Sequence, residues 1–187
     1  MFNYTAENSP TSKAIAVGGE MNRLLLVPQT YVWYNSCMNK AIKYRVYPTT
    51  EQSIMFAKTF GCCRKVYNLM LSDKIEGYKA TGKFPTVTPA KYKDKYPYLR
   101  EVDSLALANK QLDLQEAFRN KFSKSRKKNN GFPKFKSAKH SRKTYTTNNQ
   151  KGTVAIIDDK YIKLPKIGKV KAVIHRIPND NWIIKSV

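Results

Sequence analysis

The stretch MNKAIKYRVYPTTEQSIMFAKTFGCCRKVYNLM, residues 38–70, decides the fold class, because its hydrophobic period changes once along its length. From Met38, the side chains Ile42, Tyr44 and Val46 alternate with Lys43, Arg45 and Tyr47, the period-two pattern of a strand. Pro48 ends it. Thr49 with Gln52 three residues on is a capping box. Phe56, Phe60, Cys63, Tyr67 and Met70 then recur at spacings of four and three, one stripe of an amphipathic helix. Gly61 is expected to divide this helical block in two, and Gly82 to close it.

Outward from this stretch the pattern continues. Pro85, Pro89 and Pro97 mark an irregular connection, and Ser104 is expected to cap a second helix. Its stripe is Leu107, Gln111, Leu114, Phe118 and Phe122, widened by Leu105, Ala108 and Leu112. So broad an arc predicts burial against the first helical block in a small bundle. Asn129-Asn130-Gly131 reads as a turn, and Pro133 excludes further helix. Strands then return: Thr153–Ile157 and Tyr161–Leu164 flank a turn at Asp158-Asp159, and Val170–Ile177 and Trp182–Val187 flank Asn179-Asp180-Asn181. Strand, helical bundle, several strands is the order of an α+β fold, a sheet or small barrel interrupted by a helical insertion. Residues 1–37 have no sustained period, and Lys13 and Arg23 balance Glu7 and Glu20. They are expected to be an unrelated or disordered extension, with Met38 the functional start.

The formal charge of the 187 residues is +22, and all of the excess lies in residues 38–187. From Ala117 to Ile157 there is no Asp or Glu, while Arg119, Arg126, Lys127, Lys128, Lys134, Lys136, Arg142 and Lys143 fall inside. Phe118, Phe122, Phe132, Phe135 and Tyr145 are interleaved with them. A one-sign cluster repels itself unless a partner neutralises it, and nucleic acid supplies both a line of negative charge and flat bases. Arg119–Lys143 is therefore expected to contact phosphates. Lys43, Arg45 and Arg64 outside the run, and the Tyr145 ring, complete the predicted nucleic-acid contacts.

Other functional classes find little support. Cys37, Cys62 and Cys63 lack the spacing and the histidine partners of a metal site, and an odd, sparse count argues against a secreted disulfide framework. Cys63 lies on the helical stripe, as a small core residue. No apolar run is long enough to span a membrane, Leu24–Val27 is too short for a signal core, and a cytoplasmic protein is expected. Metal-dependent phosphodiester cleavage needs clustered carboxylates. Asp158-Asp159 is the one adjacent pair, and its place between strands reads as a turn. His140 and His175 are isolated. No small-molecule substrate is expected.

Six segments occur in order along the chain: KAIKYRVYPTTEQ (Lys40–Gln52), FGCCRKVYN (Phe60–Asn68), EVDSLAL (Glu101–Leu107), GFPKFKS (Gly131–Ser137), SRKTYTTNN (Ser141–Asn149) and YIKLPKIGKVK (Tyr161–Lys171). Together they resemble the N-terminal half of the TnpB (OrfB) proteins of bacterial insertion sequences, which are similar to the type V CRISPR effectors. The resemblance implies RNA-guided DNA cleavage in the whole protein, with guide RNA and target DNA as partners. It implies a wedge-type β-barrel from residues 38–48 and 131–187, with a helical recognition insertion at 49–130. It also implies a C-terminal half holding a RuvC-like magnesium nuclease and a zinc ribbon. That half is expected to lie beyond Val187, leaving this chain no catalytic residues and no cofactor. By position, Ser104, Leu105 and Ala108 on the second helix, with Thr147 and Asn148, match the surface that reads the short motif beside the target. Thr146–Asn149 is otherwise a polar loop, and Tyr67 and Asn68 are helix-packing residues. A second function stays open: a stand-alone DNA-binding regulator using residues 49–80 as a helix-turn-helix.

Overall fold

The computed structural model describes residues 2–6, 39–123, 131–177 and 182–187, and the chain is α+β. Helix α1, Thr50–Thr81, starts at the predicted capping box: the Thr49 hydroxyl accepts from the Gln52 amide at 3.3 Å, and Gln52 Oε1 accepts from the Thr49 amide at 3.1 Å. It ends at Gly82, whose φ of 69° suits a residue without a Cβ. The helix runs through Gly61 without a break. A glycine inside a helix costs about 1 kcal/mol, and burial of Cys62, Cys63, Val66, Tyr67, Met70 and Leu71 around and beyond it outweighs that. Further along, a Cβ on Gly77 would come within 2.6 Å of the Pro85 ring, so glycine here admits the returning chain. That chain makes two short 3-10 turns, Pro89–Tyr92 and Pro97–Arg100.

Helix α2, Ser104–Phe122, is capped by Asp103 and not by Ser104: the carboxylate accepts from the Leu105 and Ala106 amides at 3.2 and 3.1 Å. Its buried face holds Ala106, Leu107, Asn109, Lys110, Leu114 and Phe118. Ala108 and Leu112, assigned to that face from the sequence, are exposed. Each lies one residue past a buried neighbour or stripe position, about 100° further round the helix. The α1–α2 core contains Val66, Met70, Leu71, Leu99, Ala106, Leu107 and Leu114, all fully buried.

The strand expected over Met38–Tyr47 divides into β2, Asn39–Ile42, and β3, Arg45–Tyr47, which enter different sheets. At the crossing, the Tyr44 hydroxyl donates to the Arg176 carbonyl at 2.6 Å. The first sheet has the order β2-β1-β7, with β1 at Phe2–Ala6 and β7 at Trp182–Ser186. Residues 2–6 are therefore the central strand of a sheet, antiparallel to both neighbours, rather than part of a disordered tail. Residues 7–37 of the expected extension, and Met38 after them, lie outside the described residues. The free edge of β7 pairs with residues 147–149, through Thr147–Val187 bonds in both directions at 2.9 Å.

The second sheet has the order β3-β6-β5-β4, with β4 at Ala155–Ile157, β5 at Tyr161–Leu164 and β6 at Gly168–Val173. Asp158 and Asp159, with φ of 51° and 50°, make the predicted turn between β4 and β5. Ile42, Val154, Ile162, Leu164, Val170 and Ala172 form a second core, against which Phe56 of α1 packs.

Candidate nucleic-acid interface

A cleft of about 310 Å³ opens where α1, α2 and the segment after Gly131 meet. Its wall carries Arg64 from α1, Lys110 from α2, and Lys136, Arg142 and Lys143 from the connecting segment, beside Phe60 and Cys63. A wider hollow adjoins it and shares Phe60, Arg64 and Lys143, with Val46, Pro48 and Phe56 supplying an apolar side.

The position of Lys136 is fixed by two α1 residues. Asn68 brackets its backbone, donating to the Lys136 carbonyl at 2.9 Å and accepting from its amide at 2.8 Å. The buried Tyr67 ring lies 4.0 Å from Lys136 Nζ. Burial lowers the Lys136 pKa below the ordinary lysine range, and the nearby Lys110 charge lowers it further. Lys110 itself is buried, with its ammonium 2.6 Å from Asp113. Arg64, Lys136, Arg142 and Lys143 make no ion pair among the described residues, so the cleft keeps an uncompensated positive charge. A phosphate entering it meets two donors that are already partly desolvated, Arg64 and Lys136, which strengthens their charge-assisted bonds. Arg142 and Lys143 stand exposed at the wall.

Of the residues predicted from sequence, Arg64, Lys136, Arg142 and Lys143 are thus brought together. Lys110 was missed. Its signal was its spacing, three residues past Leu107 and four before Leu114, which puts a lysine on the buried face. Lys134 is exposed outside the cleft lining, and Arg119 is paired with Glu116 on α2. Lys43 is exposed where the chain passes from β2 to β3, and Arg45 is exposed on β3. Arg126, Lys127 and Lys128 lie outside the described residues. Tyr145 is half-buried, its ring 5.8 Å from Phe60 and 6.3 Å from Phe56, and burial raises its pKa. The ring belongs to the packing behind the cleft instead of standing free for a base.

The predicted motif-reading residues gather around the start of α2, but they differ in exposure. Ser104 and Ala108 are exposed, Leu105 is half-buried, and Ser104 Oγ accepts from Lys93 Nζ at 2.9 Å. Thr147 is fully buried, its hydroxyl donating to the Asp103 carboxylate that caps α2. With both its backbone groups paired to Val187 as well, Thr147 presents nothing to a base edge in this conformation. Half-buried Asn148 lies near Asn109, whose amide donates to the Thr146 carbonyl at 2.8 Å. Cys63 is a core residue: its thiol donates to the Ala106 carbonyl, and burial pushes its pKa up to about 12. No helix among the described residues is long and apolar enough to cross a membrane.

Residues 38–83 match a family described as the helix-turn-helix domain of OrfB proteins of the IS605 type. In this chain the matched residues fold as β2, β3 and the unbroken helix α1. Over 112 residues the chain is 35% identical to the Streptomyces pristinaespiralis protein named "Putative RNA-guided DNA endonuclease". That alignment covers 56% of this chain and 27% of the relative. Both findings agree with the resemblance to the TnpB (OrfB) proteins that the six ordered motifs carry.

Proposed function

We propose that this chain binds nucleic acid as part of a TnpB-type, transposon-associated system, holding guide RNA and target DNA by their phosphates. The observation that carries the reading is the cleft, in which four cations without an ion pair among the described residues and the buried Lys110 converge from three separate parts of the chain. Concentrated positive charge of this kind gives affinity without sequence information. The relative's name supports an RNA-guided setting. The wedge-type barrel belongs to the same reading, with the two sheets joined through the β2–β3 crossing. The alternative of a stand-alone helix-turn-helix regulator needs a turn within residues 49–80, where α1 is continuous.

The chain's own contribution to this reading is binding. Among the described residues no cluster of His, Cys, Asp and Glu is suited to hold a metal ion, and carboxylate clusters are what such cleavage requires. The test is a set of titrations of the Arg64→Gln, Arg142→Gln, Lys143→Gln triple variant on varied duplexes at several salt concentrations, with and without guide RNA. Affinity should fall about equally for all sequences. The slope of log affinity against log salt should drop by roughly 0.9 for each duplex phosphate that is no longer neutralised. An unchanged slope would make the cleft wall a solvated surface and end the proposal.

A further inference from the structure

The face of the second sheet turned away from its core carries a pattern that the cleft does not use. Alternation along β5 and β6 sends Ile162, Leu164, Val170 and Ala172 into the core, leaving Tyr161, Lys163, Lys169, Lys171 and Val173 exposed. The register sets these residues in rows. Lys171 on β6 is opposite Tyr47 on β3 and opposite Tyr161 on β5, and Lys163 is opposite Lys169. The two rings are 50% and 38% exposed and lie two strand spacings apart, about 10 Å, with a lysine between them. Arg45 adds a further exposed cation beside Val173.

Folding does not account for this arrangement. Like charges directly opposite each other, as at Lys163 and Lys169, destabilise a sheet. Lysines are commonly placed on edge strands to prevent aggregation, but β6 is an interior strand of this sheet. Strands β3 to β6 contain no Asp or Glu, and none of these cations makes an ion pair among the described residues. The nearest acids in sequence are Asp158 and Asp159, at the β4–β5 turn, and Glu51 in the first turn of α1 beyond β3.

We infer that this sheet face binds single-stranded nucleic acid, with Tyr47 and Tyr161 each stacking an unpaired base and Lys171 contacting the backbone between them. Lys163, Lys169 and Arg45 extend the phosphate track. Stacking accepts any base, because every base has a π-face, whereas a duplex offers no unpaired base to these rings.

The full chain is titrated by fluorescence anisotropy with three probes of equal length: an oligothymidine strand, an abasic strand and a duplex. Tyr47→Ala with Tyr161→Ala should weaken oligothymidine binding by roughly tenfold per ring, and leave abasic and duplex binding unchanged. Tyr47→Phe with Tyr161→Phe keeps both rings and should bind oligothymidine like the unaltered protein, which separates a loss of stacking from a loss of folding. Lys171→Gln should lower the salt slope on the single strand by about 0.7. Unchanged oligothymidine affinity in the alanine variant, or an equal loss on all three probes with the fold intact, would overturn the inference. The cleft variant reports separately: its failure to alter duplex binding would end the cleft proposal and leave the sheet face standing.

Discussion

The helical and β portions of the molecule are built on opposite terms. The α1–α2 core is assembled from two helices whose stripes repeat within short windows, so each helix carries its own instructions. The two sheets instead join strands of three to six residues from far apart in the chain: β1 pairs with β2 and β7, and β3 with β6. The cost of closing such loops grows with separation, and the sequence of a short strand does not name its partner. The helical portion was therefore readable residue by residue, and the β portion only as a series of strands.

The largest test of that contrast is removal of residues 1–37. It takes out β1, the central strand of the first sheet, so β2 and β7 lose their ladder partners. Hydrogen exchange should show amide protection lost in β2 and β7 while the interiors of α1 and α2 keep theirs. Unaltered protection in β7 would return residues 2–6 to the status of an unrelated extension.

Thr147→Val sharpens the contrast at the point where the two portions meet. Its hydroxyl reaches the α2 cap while its backbone pairs with the end of the β7 segment. Losing that bond to a carboxylate should destabilise the protein by about 2 kcal/mol in urea unfolding, with no change in which sequences are preferred. Altered preference at unaltered stability would restore Thr147 to base reading.

The smallest effect concerns Lys136. Its downward pKa shift means that its ammonium is lost at lower pH than that of an ordinary lysine, whose value is about 10.4. Phosphate binding needs the charged form, so affinity should fall as pH rises through the lowered value. Stability of the free protein should rise over the same window, because the unfolded chain there holds more protons. Lys136→Arg stays charged and should lack this step in alkaline titrations of binding. Identical pH profiles for the two proteins would remove Lys136 from the contact set.

Much of the fold was legible where the signal is local. The Thr49–Gln52 box, the Gly82 stop, the Asp158-Asp159 turn and the bounds of β5 all depend on residues within a few positions of one another. The excess of positive charge and its aromatic interleaving were equally plain. Position within a fold was not. Gly61 looked like a break because propensity was weighed without the packing that overrides it. Ser104 and Asp103 are both good capping residues, and only the backbone shows which carboxylate or hydroxyl faces the free amides.

What the sequence determined by itself was the two helical blocks, most of the strands, the charge that calls for a polyanion, and the resemblance to TnpB (OrfB) proteins. What the tertiary structure decided was which cations share a site. Arg64, Lys110, Lys136, Arg142 and Lys143 span some eighty positions, and they meet only because α1 and α2 pack together and Asn68 fixes the segment that brings Lys136 to them. Thr147 and Asp103 were drawn together by the same packing, which turned a polar side chain into part of the core. Periodicity and composition are local properties of a chain, whereas a site exists only where burial of apolar faces has brought distant residues to one place.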